Sequence, residues 1–259
     1  MMKRIKYILM WLFIAGYLTI ILGFVGKEQH KVICSGVDII IHDSLDREFV
    51  DKEMIHRLIQ GNSTELAGRV IEDIDLQSIE NRILSIKAIR TAEVYFTVSG
   101  KLVVEVNQRI PIVRIIDRSG QGFYLDEEGY IIPLSGNFCS HILVVNGKIS
   151  DHYRRAKSIM DQGIEMDLFR DIFRMVRYIE GDEFWRAQIM QIYINERQEF
   201  ELIPRVGAHI IEFGPADNIE TKFEKLWILY NKGFCNKGWN QYDRINLKYR
   251  NQVVCTKRS

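Results

Sequence analysis

The sequence lacks the closely spaced residue pairs that identify many enzymes and metal proteins. None of the 6 histidines has another histidine four residues away, which excludes the helical zinc motif of metalloproteases. There is no G-x-S-x-G nucleophile elbow, no S-x-x-K pair and no phosphate-binding glycine loop. Since no nucleophile, base or metal ligand stands in a recognisable constellation, we predict that the protein is not an enzyme and has no cofactor and no metal site.

Cysteine and proline are scarce, with 4 of each in 259 residues. The cysteines, Cys34, Cys139, Cys235 and Cys255, form no CxxC pair and fit no zinc spacing. Four cysteines allow three disulfide pairings, among which the sequence does not choose, and we expect most of them to be free and buried. The few prolines and the absence of low-complexity segments argue against a long disordered linker.

No sign of charge dominates the chain. The 35 lysines and arginines nearly balance the 34 aspartates and glutamates, and the basic residues are spread along the sequence. Binding to nucleic acid needs a basic face that neutralises phosphates, so this composition gives no case for a nucleic-acid-binding protein. Nothing in the sequence indicates a small-molecule substrate.

The sequence does contain one long apolar run, Ile5 to Val25, in which Lys6 is the only charged residue. As a helix this run is about 30 Å long, which matches the hydrocarbon core of a bilayer. Positive residues at its front edge favour a cytoplasmic N-terminus, so residues 1–4 are predicted to be a cytoplasmic tail and residues 5–25 a transmembrane helix. The anchor residues are predicted to include Ile5, Trp11, Phe13, Tyr17, Leu22 and Val25.

A cleaved signal peptide is the main alternative for this run. Its apolar region is usually only about 7–15 residues long and ends at a small-x-small cleavage site. Here Phe24 and Val25 precede Gly26, so we favour an uncleaved anchor that places the rest of the chain outside the cytoplasm.

Residues 32–108 predict a compact α+β domain in the order β-α-α-β-β. A β-branched strand, Val37 to Ile41, is followed by two amphipathic helices that Asp51 and Asp75 can cap. A hairpin turning at Ser99-Gly100 then joins Ala92–Val98 to Leu102–Val106. This pattern predicts two helices on one face of a small sheet.

Pro111 interrupts the strand pattern, and residues 109–259 predict a β-rich domain with flanking helices. Helices are predicted from periodicity at 167–180 and from Asn218 through Trp227 and Tyr230. The predicted strands are 112–116, 122–125, 130–134, 141–146, 189–195, 200–204, 208–213, 245–249 and 253–256.

Several stretches in this order resemble the FtsQ/DivIB family of bacterial division proteins. The matching stretches are 92–94, 102–112, Phe123-Tyr124-Leu125-Asp126 with Gly129 and Pro133-Leu134, Gly207–Ile210 before Phe213-Gly214, and Ile245–Tyr249. The last stretch departs from the family's Asp-Leu-Arg-Tyr motif, since Asn246 replaces the aspartate and Lys248 replaces the arginine. We therefore do not carry over an ion pair at these two positions.

The resemblance implies a non-enzymatic, single-pass scaffold of the division machinery in the bacterial inner membrane at the septum. It implies a POTRA-like first domain, and partners that are single-pass coiled-coil proteins of the FtsL/FtsB kind together with the septal peptidoglycan synthase complex. Family members bind partners through the terminal strands and the neighbouring helix. The corresponding residues here are Trp227, Tyr230, Asn246, Leu247, Lys248, Tyr249, Gln252, Val253 and Val254.

The sequence is compatible with alternatives for the last strand, for two aromatic residues and for the function. An exposed last strand at 253–256 would accept a partner strand, but it is equally compatible with a covered edge. Aromatic residues such as Trp227 and Tyr230 on a helix belong more often to a core than to an interface. A POTRA-type chaperone for secreted or outer-membrane proteins, and a membrane-anchored cell-wall enzyme, are the alternative functions.

Overall fold

The computed structural model describes residues 10–21, 32–42, 49–60, 66–135, 142–161, 166–234 and 239–258. The chain divides into two compact units. The first comprises Met1–Asp46 and Val50–Gln108, and the second comprises Arg47–Phe49 and Arg109–Ser259.

Residues 10–21 form a helix, α1, whose side chains are all exposed. They include Trp11, Phe13 and Tyr17 of the predicted anchor, whereas Ile5, Leu22 and Val25 lie outside the described residues. Among the residues that are described, no helix is both long enough and apolar enough to cross a membrane.

The first unit has the predicted β-α-α-β-β order. Its elements are β1 (Gly36–His42), α2 (Lys52–Gln60), α3 (Leu76–Leu84), β2 (Ile89–Phe96) and β3 (Lys101–Gln108), with a short 3-10 turn at Ile71–Asp73. The strand order is β1-β3-β2, with β1 parallel and β2 antiparallel to the central β3. Because β3 is central, its residues Leu102, Val104 and Val106 are fully buried.

Both helices of this unit begin where the sequence predicts. The Asp51 carboxylate accepts the Met54 backbone N–H at 2.6 Å, and Asp75 accepts that of Ser78 at 3.0 Å. Such caps satisfy backbone donors that have no partner inside the helix. The apolar stripes of both helices then pack on the sheet, and Ile55 and Ile83 are completely buried.

The second unit is built on one sheet of nine strands. In chain order these are β4 (Pro111–Ile116), β5 (Gly122–Asp126), β6 (Ile131–Pro133), β7 (Leu143–Gly147), β8 (Ile189–Ile194), β9 (Phe200–Pro204), β10 (Ile210–Gly214), β11 (Tyr242–Asn246) and β12 (Val254–Lys257). In space the order is β12-β11-β10-β9-β8-β7-β4-β5-β6. The sheet is mixed, because β4 with β7, β7 with β8 and β10 with β11 pair in parallel.

One face of this sheet carries the core. The helices are α4 (Asp167–Glu180), α5 (Glu183–Gln188) and α6 (Ile219–Ile228), and α6 continues into a π-helical turn at Leu229–Phe234. Alternate strand residues, among them Val145, Ile192 and Leu202, join the buried side chains of these helices in one apolar cluster. Residues such as Gln191 and Glu212 point to the opposite face and are only half-buried, as expected for a sheet with one solvated side.

The mixed α+β fold with a β-rich second part is confirmed. The predicted helix 167–180 matches α4 at both ends. The strand predicted at 245–249 was wrong in its bounds, because β11 runs from Tyr242 to Asn246 and Leu247 already lies beyond it. Helix α5 was not predicted, although Asp182 caps it by accepting the Trp185 N–H at 3.0 Å.

Candidate partner-binding surface

Strand β12 lies at one end of the nine-stranded sheet. It pairs antiparallel with β11, where Asn246 is opposite Val254 and Ile245 is opposite Cys255. On its other side, no strand of the described ranges pairs with it. We call β12 the open edge, because an outermost strand presents backbone N–H and C=O groups that a further strand can bond.

The direction of these backbone groups follows from the neighbouring ladder. The Leu247 N–H donates to the Glu212 carbonyl of β10 at 3.0 Å, so the backbone of Leu247 turns toward β10. Because successive residues of a strand direct their backbone groups to opposite sides, Asn246 faces β12 and its partner Val254 faces β11. Cys255 therefore directs its N–H and C=O away from the sheet, toward an incoming strand.

Helix α6 holds the segment that connects β11 to β12. The Lys225 ammonium donates to the carbonyls of Leu247 at 3.1 Å and Tyr249 at 2.7 Å. Burial lowers the pKa of Lys225, and the positive charge of Lys222 lowers it further. The position of the open edge therefore depends on a helix residue, since these two bonds fix the path of the chain into β12.

Charged groups surround β11 on the solvated face of the sheet. Glu212 accepts hydrogen bonds from the Arg244 guanidinium and from the Asn246 amide, the latter at 2.7 Å. Lys248 forms an ion pair with Glu199 at 3.0 Å, and its hydrogen bond lowers the pKa of Glu199. Asn246 and Lys248, the two residues that depart from the family motif, thus each have a carboxylate partner in this chain.

An aromatic groove lies on the helical side of the same unit. It has a volume of about 430 Å³ and is lined by Tyr178, Phe184, Trp185, Phe223, Trp227 and Ile228, with Asp182 and Glu224 at its rim. The Phe184 ring lies 4.7 Å from that of Trp227. Trp227 is 45% exposed and Ile228 is 53% exposed. We call this feature the α5–α6 groove.

The rim of the α5–α6 groove is acidic. Burial raises the pKa of Tyr178, and the carboxylates of Asp182, Glu220 and Glu224 raise it further. These carboxylates and the aromatic floor favour a ligand segment that combines an apolar side chain with a neighbouring positive charge.

Tyr230 supports the groove from beneath. It is buried at 2% exposure, and its hydroxyl lies 2.9 Å from Nε2 of His209. Burial lowers the pKa of His209 to about 4, so the imidazole is neutral at physiological pH. Trp239 packs on the other side of Tyr230, with ring centroids 4.7 Å apart.

The structure separates the predicted partner-binding residues into two groups. The accessible ones are Trp227, Lys248, Tyr249, Gln252 and Val254, which are exposed, and Asn246 and Val253, which are half-buried. Tyr230 and Leu247 are buried in the core and do not offer their side chains to a partner in this conformation. Tyr230 packs against Trp185 and Trp239, and Leu247 joins the apolar cluster of the second unit.

Sequence reasoning missed several residues of this surface. Lys225 was not selected, because a lysine on an amphipathic helix usually only covers its polar face. Phe184 and Ile228 of the groove were also missed. The signal for Ile228 was present, since Trp227-Ile228 places two adjacent apolar residues where a single helical stripe accommodates one.

The cysteines of the described part are free thiols. Cys34 is buried in the first unit, and Cys255 of the open edge is half-buried. Burial raises the pKa of the Cys255 thiol, which keeps it protonated and weakly reactive at neutral pH. Cys139 and Cys235 lie outside the described residues.

Each of the two units matches a model of a known protein family. Residues 32–107 match the model of the POTRA-like domain, and residues 110–256 match the model described as FtsQ/DivIB, C-terminal related. No curated protein sequence gives a significant match. The second match covers more than half of the chain and confirms the resemblance read from the sequence, and the chain therefore belongs to the FtsQ/DivIB family.

Proposed function

We propose that this protein is a non-enzymatic, single-pass scaffold of the bacterial division machinery. It links other division proteins through its extracytoplasmic part and helps to control septal peptidoglycan synthesis. Family membership supports a role as a cell division scaffold, and proteins of this family are in general membrane-anchored at the septum. The observation that carries the proposal for this chain is the open edge.

The open edge has the properties of a strand-addition site. Partner strands that extend a sheet gain affinity from main-chain hydrogen bonds and specificity from alternate side chains. Here the outward-facing backbone of Cys255 supplies the main-chain hydrogen bonds, and the exposed side chains of Val254 and Thr256 supply the specificity. The α5–α6 groove of the same unit offers a second contact for the same partner, which we propose to be a single-pass coiled-coil protein of the FtsL/FtsB kind.

The anchor is the second part of the proposal. Residues 5–25 form the transmembrane helix, with residues 1–4 in the cytoplasm and both domains outside it. The apolar composition of this run, its basic front edge and the helical conformation of residues 10–21 with exposed apolar side chains support this topology. The first domain extends over residues 32–108 and the second over 109–259.

Replacing Cys255 by proline tests the open edge. Proline has no N–H, so Cys255→Pro removes a donor that faces the partner and keeps the β11–β12 bonds of Val254. We expect recovery of the coiled-coil division proteins with the full chain from crosslinked membranes to fall at least tenfold. Cys255→Ala keeps the donor and removes the thiol, and it is expected to bind as the unsubstituted chain does.

A third variant separates loss of the edge from loss of the fold. Val254→Pro removes a bond to β11 instead, so it is expected to detach β12 and to expose it to protease. Undiminished partner recovery with Cys255→Pro would exclude β12 as the binding strand. Equal losses for the proline and alanine variants would assign the effect to the side chain.

Depletion of the protein distinguishes the cellular roles. Filamentous cells with correctly placed septal rings are the expected phenotype. Normal division with misassembled outer-membrane proteins would instead support a POTRA-type chaperone.

A further inference from the structure

Three exposed aliphatic side chains lie together at one end of the first unit. Val98 is fully exposed at the turn between β2 and β3. Ile33 is 54% exposed and Val32 is 40% exposed, although both belong to a segment with fixed backbone bonds. We call Val32, Ile33 and Val98 the apolar tip.

The backbone around the apolar tip is well bonded. The Ser35 N–H donates to the Gly100 carbonyl at 2.9 Å, and the Ile71 N–H donates to the Val32 carbonyl at 3.0 Å. Gly100 has a positive φ of 80°, and a Cβ there would lie 2.7 Å from the Ile33 carbonyl oxygen. Only glycine permits this close approach, so the turn carrying Val98 is locked against residues 32 and 33.

The residues beside Val98 are small and already bonded to each other. The hydroxyls of Thr97 and Ser99 lie 2.9 Å apart, and the Lys101 ammonium is engaged with Asp38 at 2.9 Å. The hydroxyls on both sides of Val98 therefore already have a partner, which lowers the cost of bringing Val98 to an apolar phase. Exposing the aliphatic side chains of such a rigid turn to water is unfavourable in free energy, and contact with an apolar surface would bury them.

The position of the apolar tip in the chain indicates which surface covers it. Residues 26–31 separate the proposed transmembrane helix from Val32. A segment of that length spans at most about 25 Å even when fully extended. The tip is thus the part of the folded unit that the chain itself tethers beside the bilayer, at a high effective concentration.

We propose that the apolar tip docks into the outer surface of the membrane, with Val98, Ile33 and Val32 inserted at the boundary between headgroups and acyl chains. This inference rests on the membrane anchor of the proposed function. The contact fixes the orientation of the first unit relative to the bilayer, since it adds a second attachment point beside the helix. It is expected to depend on apolar insertion rather than on charge. Among the described residues, the exposed Arg69, Glu72 and Asp73 flank Val70, the bridge partner of Ile33, and together they carry no net positive charge for anionic lipid.

Photocrosslinking of the full chain tests the proposal. A benzophenone amino acid is placed at position 98, and the protein is reconstituted in vesicles of phosphatidylethanolamine and phosphatidylglycerol. The matched control carries the same group at Leu84, which is 39% exposed. Leu84 precedes β2, whose 8 residues place the turn about 25 Å away at the opposite end of the unit.

We expect lipid adducts at position 98 to exceed those at position 84 at least fivefold, as counted by mass spectrometry. Replacing phosphatidylglycerol by phosphatidylcholine, or adding salt, is expected to change the yield by less than twofold. With the benzophenone at position 33, Val98→Asp is expected to reduce the lipid adducts several-fold and Val98→Ile to preserve them.

Resistance of the reconstituted protein to alkaline extraction separates the two proposals. If the protein stays in the membrane while positions 98 and 84 give equal lipid adducts, the anchor stands and the docking contact is refuted. Adducts to protein instead of lipid at position 98 would also overturn it. If the protein is extracted, both the anchor and the docking contact fail.

Discussion

The two ends of the nine-stranded sheet are built differently. At one end is the open edge, β12, with mostly exposed residues and no proline. At the other end β6 has only 3 residues and finishes at Pro133. The Ile131 N–H donates to the Lys157 carbonyl at 2.9 Å, and the Ile159 N–H donates to the Gly129 carbonyl at 3.0 Å. We call β6 the closed edge, because a loop segment occupies its outer side.

The difference shows that edge protection in this fold is selective. Short strands, prolines and covering loops are the usual means by which proteins prevent strands from pairing with other chains. The closed edge has all three, and within the described residues the open edge has only its shortness. A protein that protects one edge so thoroughly and leaves the other accessible is suited to binding a strand at a single place.

Removing the carboxylate that organises the closed edge is expected to have the largest effect on stability. Asp126 is 3% exposed and pairs with Arg109 at 2.7 Å, and it also accepts the Tyr130 N–H at 2.7 Å. Asp126→Ala leaves a mostly buried guanidinium without this partner, so the free energy of unfolding should fall by about 3 kcal/mol. Urea denaturation, monitored by tryptophan fluorescence, measures this free energy of unfolding.

Glu128 provides the control for this substitution. It contacts the same guanidinium at 3.3 Å but is 40% exposed, so Glu128→Ala is expected to cost less than about 1 kcal/mol. A loss of similar size in both variants would mean that burial of Asp126 does not organise the closed edge.

Acid is expected to weaken the half of the sheet that carries the open edge. Burial lowers the pKa of His209 to about 4, whereas an unfolded histidine has a pKa of about 6.5. The neutral imidazole therefore stabilises the fold fully above pH 6.5, and this contribution is lost as the pH falls toward 4. The loss amounts to about 2 kcal/mol at pH 5.

Hydrogen exchange at pH 7 and pH 5 measures this effect. Protection of β10 and β11, which lie near His209, is expected to fall more than that of β4 and β5. His209→Gln cannot take up a proton, so its stability should be flat between pH 6.5 and 5. A profile for this variant with the original slope would assign the effect to other groups.

The smallest effect on stability is expected in the segment that connects β11 to the open edge. Lys225→Met keeps the aliphatic stem and removes the bonds to the Leu247 and Tyr249 carbonyls. We expect a loss of about 1 kcal/mol in stability, faster hydrogen exchange over residues 249–254, and severalfold weaker binding of the partner. Lys232→Met, on the exposed turn after α6, should change none of these, and equal exchange in both variants would show that Lys225 does not position β12.

Local patterns predicted much of this fold. Helices α3 and α4 followed from apolar spacing, and Asp75 capped α3 as its residue type indicates. Hairpins such as β8–β9 followed from alternation around a polar turn. These features could be predicted because residues close in sequence determine them.

The remaining features depend on residues far apart in sequence. The predicted bounds of β11 were wrong because Ile245, Leu247 and Tyr249 alternate with polar residues as they would in a strand. In the structure β11 ends at Asn246, and Leu247 is a buried residue beyond it whose carbonyl accepts a hydrogen bond from Lys225. The parallel pairings of β7 with β4 and β8 cross long connections that no local pattern specifies. The residues accessible on the partner-binding surface depended on this packing, which is why the buried Tyr230 and the exposed Trp227 looked alike in sequence.

The charge at the end of β12 bears on self-recognition. Lys257 and Arg258 follow directly after the apolar part of the strand, and Lys257 is exposed. If two copies of this protein joined their open edges in parallel and in register, Lys257 and Arg258 of both copies would lie side by side, and like charges opposite each other on paired strands repel. A strand from a partner with acidic residues avoids that repulsion. The open edge can thus remain accessible to a partner strand while disfavouring this pairing with a second copy of the chain.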